Sequence, residues 1–174
     1  MTDYTNRLQN LTTEKLIDVV KNYRQYGYDE ELRNSAISLL EHRGISREEL
    51  KLTGNFQNKT YDFAHNLYTS FRRNSKIAFV LYIVILLNNI LIPVLSHNSE
   101  ILSDLMLIAN FAIVIGYFVF LIKSFFNQNQ FYKSINQDYG TEGALMYFLL
   151  GMPFYFIMFF YFRNQMKEKM KEIK

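Results

Sequence analysis

Three long apolar runs constrain this chain more than any other feature of its sequence. Residues 77–95 contain no charged side chain, residues 101–122 contain one, and residues 144–162 are uncharged and dominated by Phe and Tyr. At about 1.5 Å per helical residue, the shortest runs reach roughly 28 Å, close to a bilayer hydrocarbon core of about 30 Å. The sequence therefore predicts three membrane helices: 77–95, 101–122 and 144–162.

The charged residues divide the chain near Lys76. Residues 1–76 hold 12 of the 19 Lys and Arg side chains and 10 of the 16 Asp and Glu side chains. We therefore predict an all-α integral membrane protein with three parts. They are a small N-terminal cytoplasmic helical domain (1–76), a membrane domain (77–162) and a basic amphipathic tail (163–174).

Periodic apolar positions predict short helices in the N-terminal domain. Apolar residues at i, i+3, i+4 and i+7 indicate a helix over 12–25, and the same spacing recurs over 29–44, so that the two helices form a hairpin. Ser46 followed by Glu49 is a capping box that starts a third, brief helix. A juxtamembrane helix over 60–75 leads into the first apolar run.

Four polar side chains interrupt the first two apolar runs. The connection over 96–100 is so short that these runs are expected to form an antiparallel hairpin, which places Asn88, Asn89 and Asn110 at similar depth. Asp104 lies one turn inside the second run. Amides and carboxylates are costly in lipid, so two interpretations stay open: interhelical hydrogen bonds, or a polar path.

The second apolar run carries a stripe of residues suited to helix packing. Leu105, Ala109, Ala112 and Gly116 share one helical face, and the small pair Ala112 and Gly116 allows a neighbouring helix to approach closely. The stripe predicts a packing face. It leaves open whether the neighbour is the third segment, a second copy or another protein.

Basic residues predict the orientation of the first hairpin. Arg72, Arg73 and Lys76 precede the first run, whereas the turn over 96–100 has no Lys or Arg. Because positive flanks stay inside, these three residues act as topology anchors that place the N-terminus in the cytoplasm. The first 25 residues lack the apolar core of a signal peptide, which agrees with this orientation.

The tail conflicts with three complete crossings. Residues 163–174 carry one Arg and four Lys, yet a third crossing would place them outside the cytoplasm, against the charge rule. One resolution is a re-entrant third segment broken at Gly151 and Pro153. The length and hydropathy of 144–162 favour a normal span instead.

The sequence also argues against several function classes. It contains no Cys, which excludes thiolate catalysis and Cys-based metal sites. The net charge of +3 lacks the clustering typical of nucleic-acid binding. No phosphate-binding loop, dinucleotide fold motif, nucleophile elbow or zinc-protease motif occurs, and the three His residues are far apart. We therefore expect no catalysis, no cofactor, no metal and no nucleic-acid partner.

Three functional hypotheses remain. The first is a non-catalytic accessory subunit or interaction partner of a larger membrane protein complex. The second is a homo-oligomeric channel or transporter-like protein whose polar path runs through Asn88, Asn89, Asp104 and Asn110. The third is a lipid-modifying enzyme using Asp104 and His97. The Asn-, Lys- and Ile-rich composition suggests a bacterial chain, so we expect a multi-pass protein of the bacterial inner (cytoplasmic) membrane. Its expected partners are the lipid bilayer and other membrane proteins or further copies of itself.

Overall fold

The computed structural model describes residues 7–96 and 100–173, and within them it is helical without strands. The predicted all-α class is therefore confirmed. Contacts divide the chain into two compact units, one ending at Asp62 and the other spanning Phe63–Ile173. The compositional boundary predicted at Lys76 lies inside the second unit.

Short capped helices build the first unit. Side-chain oxygens of Thr12, Asp29 and Ser46 each accept a backbone N–H from the following turn, which satisfies a donor that has no partner inside the helix. The predicted starts of these three helices are thereby confirmed. Their bounds are α1 Thr13–Asn22, α2 Glu30–His42 and α3 Arg47–Leu52.

The core of the first unit is small and apolar. Leu16 and Val20 of α1 pack with Ile37 and Leu40 of α2, and each of these four is at most 1% exposed. At the end of α1, the Tyr23 hydroxyl donates to Glu30, and this bond lowers the pKa of the Glu30 carboxyl. The two amphipathic helices therefore bury one stripe each, as their periodicity predicts.

Two long antiparallel helices dominate the second unit. They are α4, Lys59–Ser96, and α5, Glu100–Ser134. Their direction follows from two amide pairs: Asn74 donates to Asn127 at 2.9 Å, and Asn88 donates to Asn110 at 3.2 Å. Both helices are long and apolar enough to cross a membrane, and only 11% of each apolar window is buried inside the protein. A core helix of a soluble protein is mostly buried.

The third apolar segment differs from the sequence prediction. Residues 144–162 do not form one helix, because the chain leaves the helical path between Leu150 and Tyr155. The Gly151 N–H donates to the Met146 carbonyl at 3.3 Å, five residues back, and Pro153 has no N–H with which to continue the ladder. The observed elements are α6 Gly140–Leu145, a π-helical turn Met146–Leu150 and α7 Tyr155–Glu172.

The two arms of this broken segment fold back onto each other. The Phe162 ring of α7 stacks on the Tyr147 ring of the π-helical turn, with centroids 4.6 Å apart. Phe159 of α7 stacks in turn on Phe79 of α4 at 4.7 Å. Residues 163–172 continue α7 without interruption, and Met166 remains fully buried. Within the described residues, the third segment is not among the helices that are both long and apolar enough to cross a membrane.

Because the broken segment covers only part of the hairpin, α4 and α5 have two distinct halves. We call residues 71–82 with 117–132 the packed half, and residues 86–94 with 101–111 the bare half. The packed half buries Phe71, Tyr117 and Leu121. In the bare half the exposed large apolar residues are Leu86, Leu87, Ile90, Leu91, Val94, Ile101, Leu105, Leu107, Ile108 and Phe111.

Candidate functional site at the helix break

Gly151 makes the break in the third segment sterically feasible. It is buried and ends the π-helical turn with φ of −67°. A Cβ atom at this position would lie 1.9 Å from the Tyr147 carbonyl oxygen, far inside contact distance. The local backbone therefore requires a residue without a side chain.

Tyrosines from both long helices satisfy the carbonyl groups that the break exposes. The Tyr82 hydroxyl of α4 donates to the Pro153 carbonyl at 2.5 Å. The Tyr117 hydroxyl of α5 lies 3.4 Å from the carbonyls of Gly151 and Met152. Unpaired carbonyls in apolar surroundings are costly, and irregular backbone at membrane depth occurs only where protein or a cavity covers it.

A cluster of three tyrosine rings supports these bonds. The rings of Tyr82, Tyr117 and Tyr155 lie with centroids 5.7, 6.2 and 5.8 Å apart in the three pairs. All three side chains are buried, and the Tyr155 hydroxyl lies 3.4 Å from the Ser75 carbonyl. The cluster therefore holds the break against the packed half.

A further hydroxyl pair lies on the other side of the broken segment. Ser124 of α5 shares a short hydrogen bond with the Tyr147 hydroxyl, and both side chains are fully buried. Phe125 packs its ring on Tyr147 at 5.4 Å and on Phe148 at 4.9 Å. Each arm of the broken segment thus has its own polar and aromatic attachment.

The amides predicted in the apolar runs lie in or at the border of the bare half. Asn88 donates across the hairpin to Asn110, and both side chains are half-buried. Asn89 is exposed and donates to the Ile85 carbonyl of its own helix at 3.0 Å. The structure thus brings Asn88 and Asn110 together and leaves Asn89 apart from them.

The remaining predicted residues of α5 lie on its surface. Asp104 is exposed, as are Leu105, Ala109 and Ala112 of the predicted packing stripe. The last member, Gly116, is half-buried and faces another helix of this chain: a Cβ there would lie 3.5 Å from the Leu81 side chain. That separation is ordinary van der Waals contact, so the hairpin does not depend on a glycine at this position.

The predicted topology anchors belong to α4. Arg72, Arg73 and Lys76 are all exposed, which fits contact with water or lipid headgroups but does not test their orienting role. His97, considered above for a lipid-modifying activity, lies outside the described residues. The hypothesis of a lipid-modifying enzyme that uses His97 and Asp104 therefore stays a prediction.

Sequence reasoning located the break but missed the residues that stabilise it. Gly151 and Pro153 indicated the position, whereas Tyr82, Tyr117 and Tyr155 passed as ordinary members of apolar runs. A usable signal was present: a broken backbone in apolar surroundings needs donors, and tyrosine is the residue that brings a hydroxyl into such a run with little polar surface.

The chemistry available at the break is that of uncharged hydroxyls and carbonyls. Among residues 7–96 and 100–173, no three His, Cys, Asp or Glu side chains come close enough together to hold a metal ion. No known protein family matches the chain, and no curated protein or solved structure is significantly similar to it. The geometry of the chain is therefore the basis for a proposal about its function.

Proposed function

We propose that this chain is a non-catalytic, multi-pass membrane protein that serves as an accessory subunit or interaction partner in a larger membrane assembly. The supporting observation is the bare half, where Asn89 and Asp104 are exposed beside large apolar side chains. Polar groups facing lipid are costly, and such groups usually face protein or a water-filled cavity. A partner helix would cover them.

The chemistry of the bare half defines that partner. Ala109 in the bare half and Ala112 just beyond it are exposed on α5 and permit close approach, while the exposed carboxylate of Asp104 near the end of the helix can accept hydrogen bonds. We therefore expect a membrane helix with an apolar face and a donor side chain at the level of Asp104. The N-terminal unit, with its own core, adds a second surface for protein contacts.

Site-specific photocrosslinking tests this proposal in native membranes. Phe111 in the bare half is 68% exposed, and Phe126 in the packed half is 56% exposed, so benzoyl-phenylalanine at either position is a small change. We expect position 111 to give one discrete protein adduct and position 126 to give lipid adducts only. A chain that runs alone after mild detergent extraction, with no protein adduct from position 111, would contradict the proposal.

The same proposal includes a topology. We place both termini in the cytoplasm of a bacterial inner membrane, with α4 and α5 crossing and the third segment re-entrant. The break at Gly151–Phe154 supports this arrangement, because it allows the basic residues 163–174 to return to the side of Arg72 and Arg73. It removes the conflict with the charge rule that three crossings create.

Cysteine labelling distinguishes the two topologies, since the natural chain has no Cys. Asn10→Cys and Lys171→Cys place single thiols at exposed positions near the two ends. In intact cells a membrane-impermeant maleimide should label neither variant, and permeabilised cells should label both. Labelling of Lys171→Cys alone in intact cells would instead support three complete crossings.

A self-assembled channel or transporter-like protein is the second candidate. The exposure of Asn89 and Asp104 on a single chain favours a path formed between copies of the chain. In that case the photocrosslinked adduct from position 111 would have twice the mass of the 20.8 kDa chain. Liposome flux at background, unaffected by Asn110→Leu, would count against this candidate.

A further inference from the structure

A cavity of about 610 Å³ lies in the first unit, between the end of α1, the end of α3 and the start of α4. Its size is within the range of small-molecule sites, about 300–1,000 Å³. Lys21, Lys51 and Lys59 line it, one from each of these helices, and no Asp or Glu is among its described lining residues. Like charges that the fold brings to one cavity repel one another, so the cavity favours an anionic occupant.

The charges of these lysines are not neutralised within the first unit. None of the three takes part in the ion pairs of the described residues. The Lys51 ammonium lies 5.4 Å from the centre of the Phe56 ring, which also lines the cavity. Gln57 donates to the Asp62 carboxylate, and Arg24 pairs with the same carboxylate at 3.2 Å, so that acid is satisfied without the lysines. The three ammonium groups therefore stay available to a ligand.

The start of α4 adds backbone donors to the cavity. Asn58 is 6% exposed; its Oδ1 accepts the Tyr61 N–H at 2.9 Å and its carbonyl accepts the Asp62 N–H at 3.0 Å. The N–H groups of Lys59 and Thr60 have no hydrogen-bond partner among the described residues, and both residues line the cavity. Free N–H groups and the positive end of a helix dipole add to the attraction that the lysines exert on an anion.

Hydrogen bonds hold the wall of this cavity in place. The Asn58 N–H donates to the Lys21 carbonyl at 3.2 Å, and the Asn58 Nδ2 donates to the Asn22 Oδ1 at 2.7 Å, which joins the start of α4 to the end of α1. The Arg33 Nη2 donates to the Phe56 carbonyl at 2.7 Å. Because the wall is ordered before a ligand enters, binding costs less conformational entropy.

We propose that this cavity binds a phosphate-bearing anion through Lys21, Lys51 and Lys59 together with the first N–H groups of α4. Lysine binds phosphate as a compact point charge, and three such charges favour a multiply charged phosphate over a singly charged anion. The phosphate belongs either to a soluble phosphate compound or to the headgroup of an anionic lipid. The site is independent of the bare half, so it stands or fails separately from the partner proposed there.

Titration of the full chain with pyrophosphate tests the soluble source. The chain is held in dodecyl maltoside, a detergent without phosphate, and binding is measured by calorimetry. We expect saturable binding that Lys51→Gln and Lys59→Gln each weaken about five- to tenfold, since each removes one charge-assisted hydrogen bond. Lys15→Gln is the matched control: it removes an exposed lysine of α1 outside the cavity lining and should leave the affinity unchanged.

Addition of phosphatidylglycerol to the same micelles tests the lipid source. If a lipid headgroup supplies the phosphate, native mass spectrometry should show one retained lipid per chain that pyrophosphate displaces. The double variant Lys51→Gln/Lys59→Gln should lose this lipid, and Lys15→Gln should keep it. The proposal would be overturned if neither probe bound saturably, or if Lys15→Gln weakened binding as much as the cavity variants.

Discussion

The packed and bare halves of the α4–α5 hairpin differ in their surroundings. In the packed half, Tyr82, Tyr117 and Ser124 meet partners from the third segment. In the bare half, Asn88 donates across the hairpin to Asn110. The packed half also contains Arg72, Arg73, Lys76 and Lys123, whereas Asp104 is the one charged residue in the sequence of the bare half, so the halves differ in charge as well as in the placement of hydroxyls.

This difference shows what attaches a segment to a hairpin when the surroundings are apolar. Lipid is as apolar as Leu, so burial of apolar surface contributes little to helix association in a membrane. Close packing, aromatic contacts and hydrogen bonds remain as the attractive terms. The third segment uses all three, through Phe162, Phe159 and the tyrosines that cap the break.

The largest expected effect comes from the centre of the packed half. Phe162→Ala removes a ring that is 1% exposed and stacked on Tyr147, so it leaves a cavity between the two arms of the third segment. We expect a loss of about 3 kcal/mol in the free energy of unfolding, measured in nanodiscs.

The matched change in the bare half is Phe111→Ala. Phe111 is 68% exposed, so its removal creates no cavity in the isolated chain and should change the unfolding free energy by less than about 0.5 kcal/mol. Similar losses at both positions would remove the distinction between the two halves.

Gly151→Ala should give the next largest effect. Its Cβ would lie 1.9 Å from the Tyr147 carbonyl oxygen, and because that atom belongs to the backbone, the break itself must move. We expect a cost of about 2–3 kcal/mol. Gly116→Ala is the control, since its Cβ would meet Leu81 at an ordinary 3.5 Å. If Gly151→Ala proved as mild as Gly116→Ala, the described break would be incorrect.

Much of the fold follows from local sequence signals. Caps at Thr12, Asp29 and Ser46 predict the helix starts of the first unit, because a capping side chain accepts a backbone N–H from the turn that directly follows it. The two long helices follow equally from uninterrupted apolar runs. These features depend on residues that are near one another in the chain.

The third segment was harder to predict because its conformation depends on distant residues. Residues 144–162 have the length and composition of a span, and proline is tolerated in membrane helices. Whether the segment breaks depends on hydroxyl donors from Tyr82 and Tyr117. Each of these residues lies more than thirty positions before the carbonyl that its hydroxyl reaches. A sequence pattern of one segment contains no information about those donors.

Tyr82→Phe tests this dependence with an intermediate expected effect. The substitution removes only the hydroxyl that donates to the Pro153 carbonyl, leaving an acceptor without a partner. We expect a loss of about 1–2 kcal/mol, together with faster amide exchange at 154 and 155. Tyr68→Phe on the same helix, at a half-buried position outside the cluster, provides a comparison. No change in either measurement would mean that the break is stable without its tyrosine cap.

The smallest expected effect belongs to the bare half. Asn110→Leu removes the acceptor for Asn88 and should cost about 0.6–1 kcal/mol, the usual contribution of one interhelical hydrogen bond in a membrane. Asn89→Leu should be nearly neutral in the purified chain, because Asn89 donates only within its own helix. In native membranes, by contrast, Asn89→Leu should have the larger effect on binding of the partner. It should weaken crosslinking from position 111, because the partner covers the exposed amide of Asn89. Unchanged crosslinking would mean that the partner contacts the bare half without covering Asn89, whose amide would then face lipid.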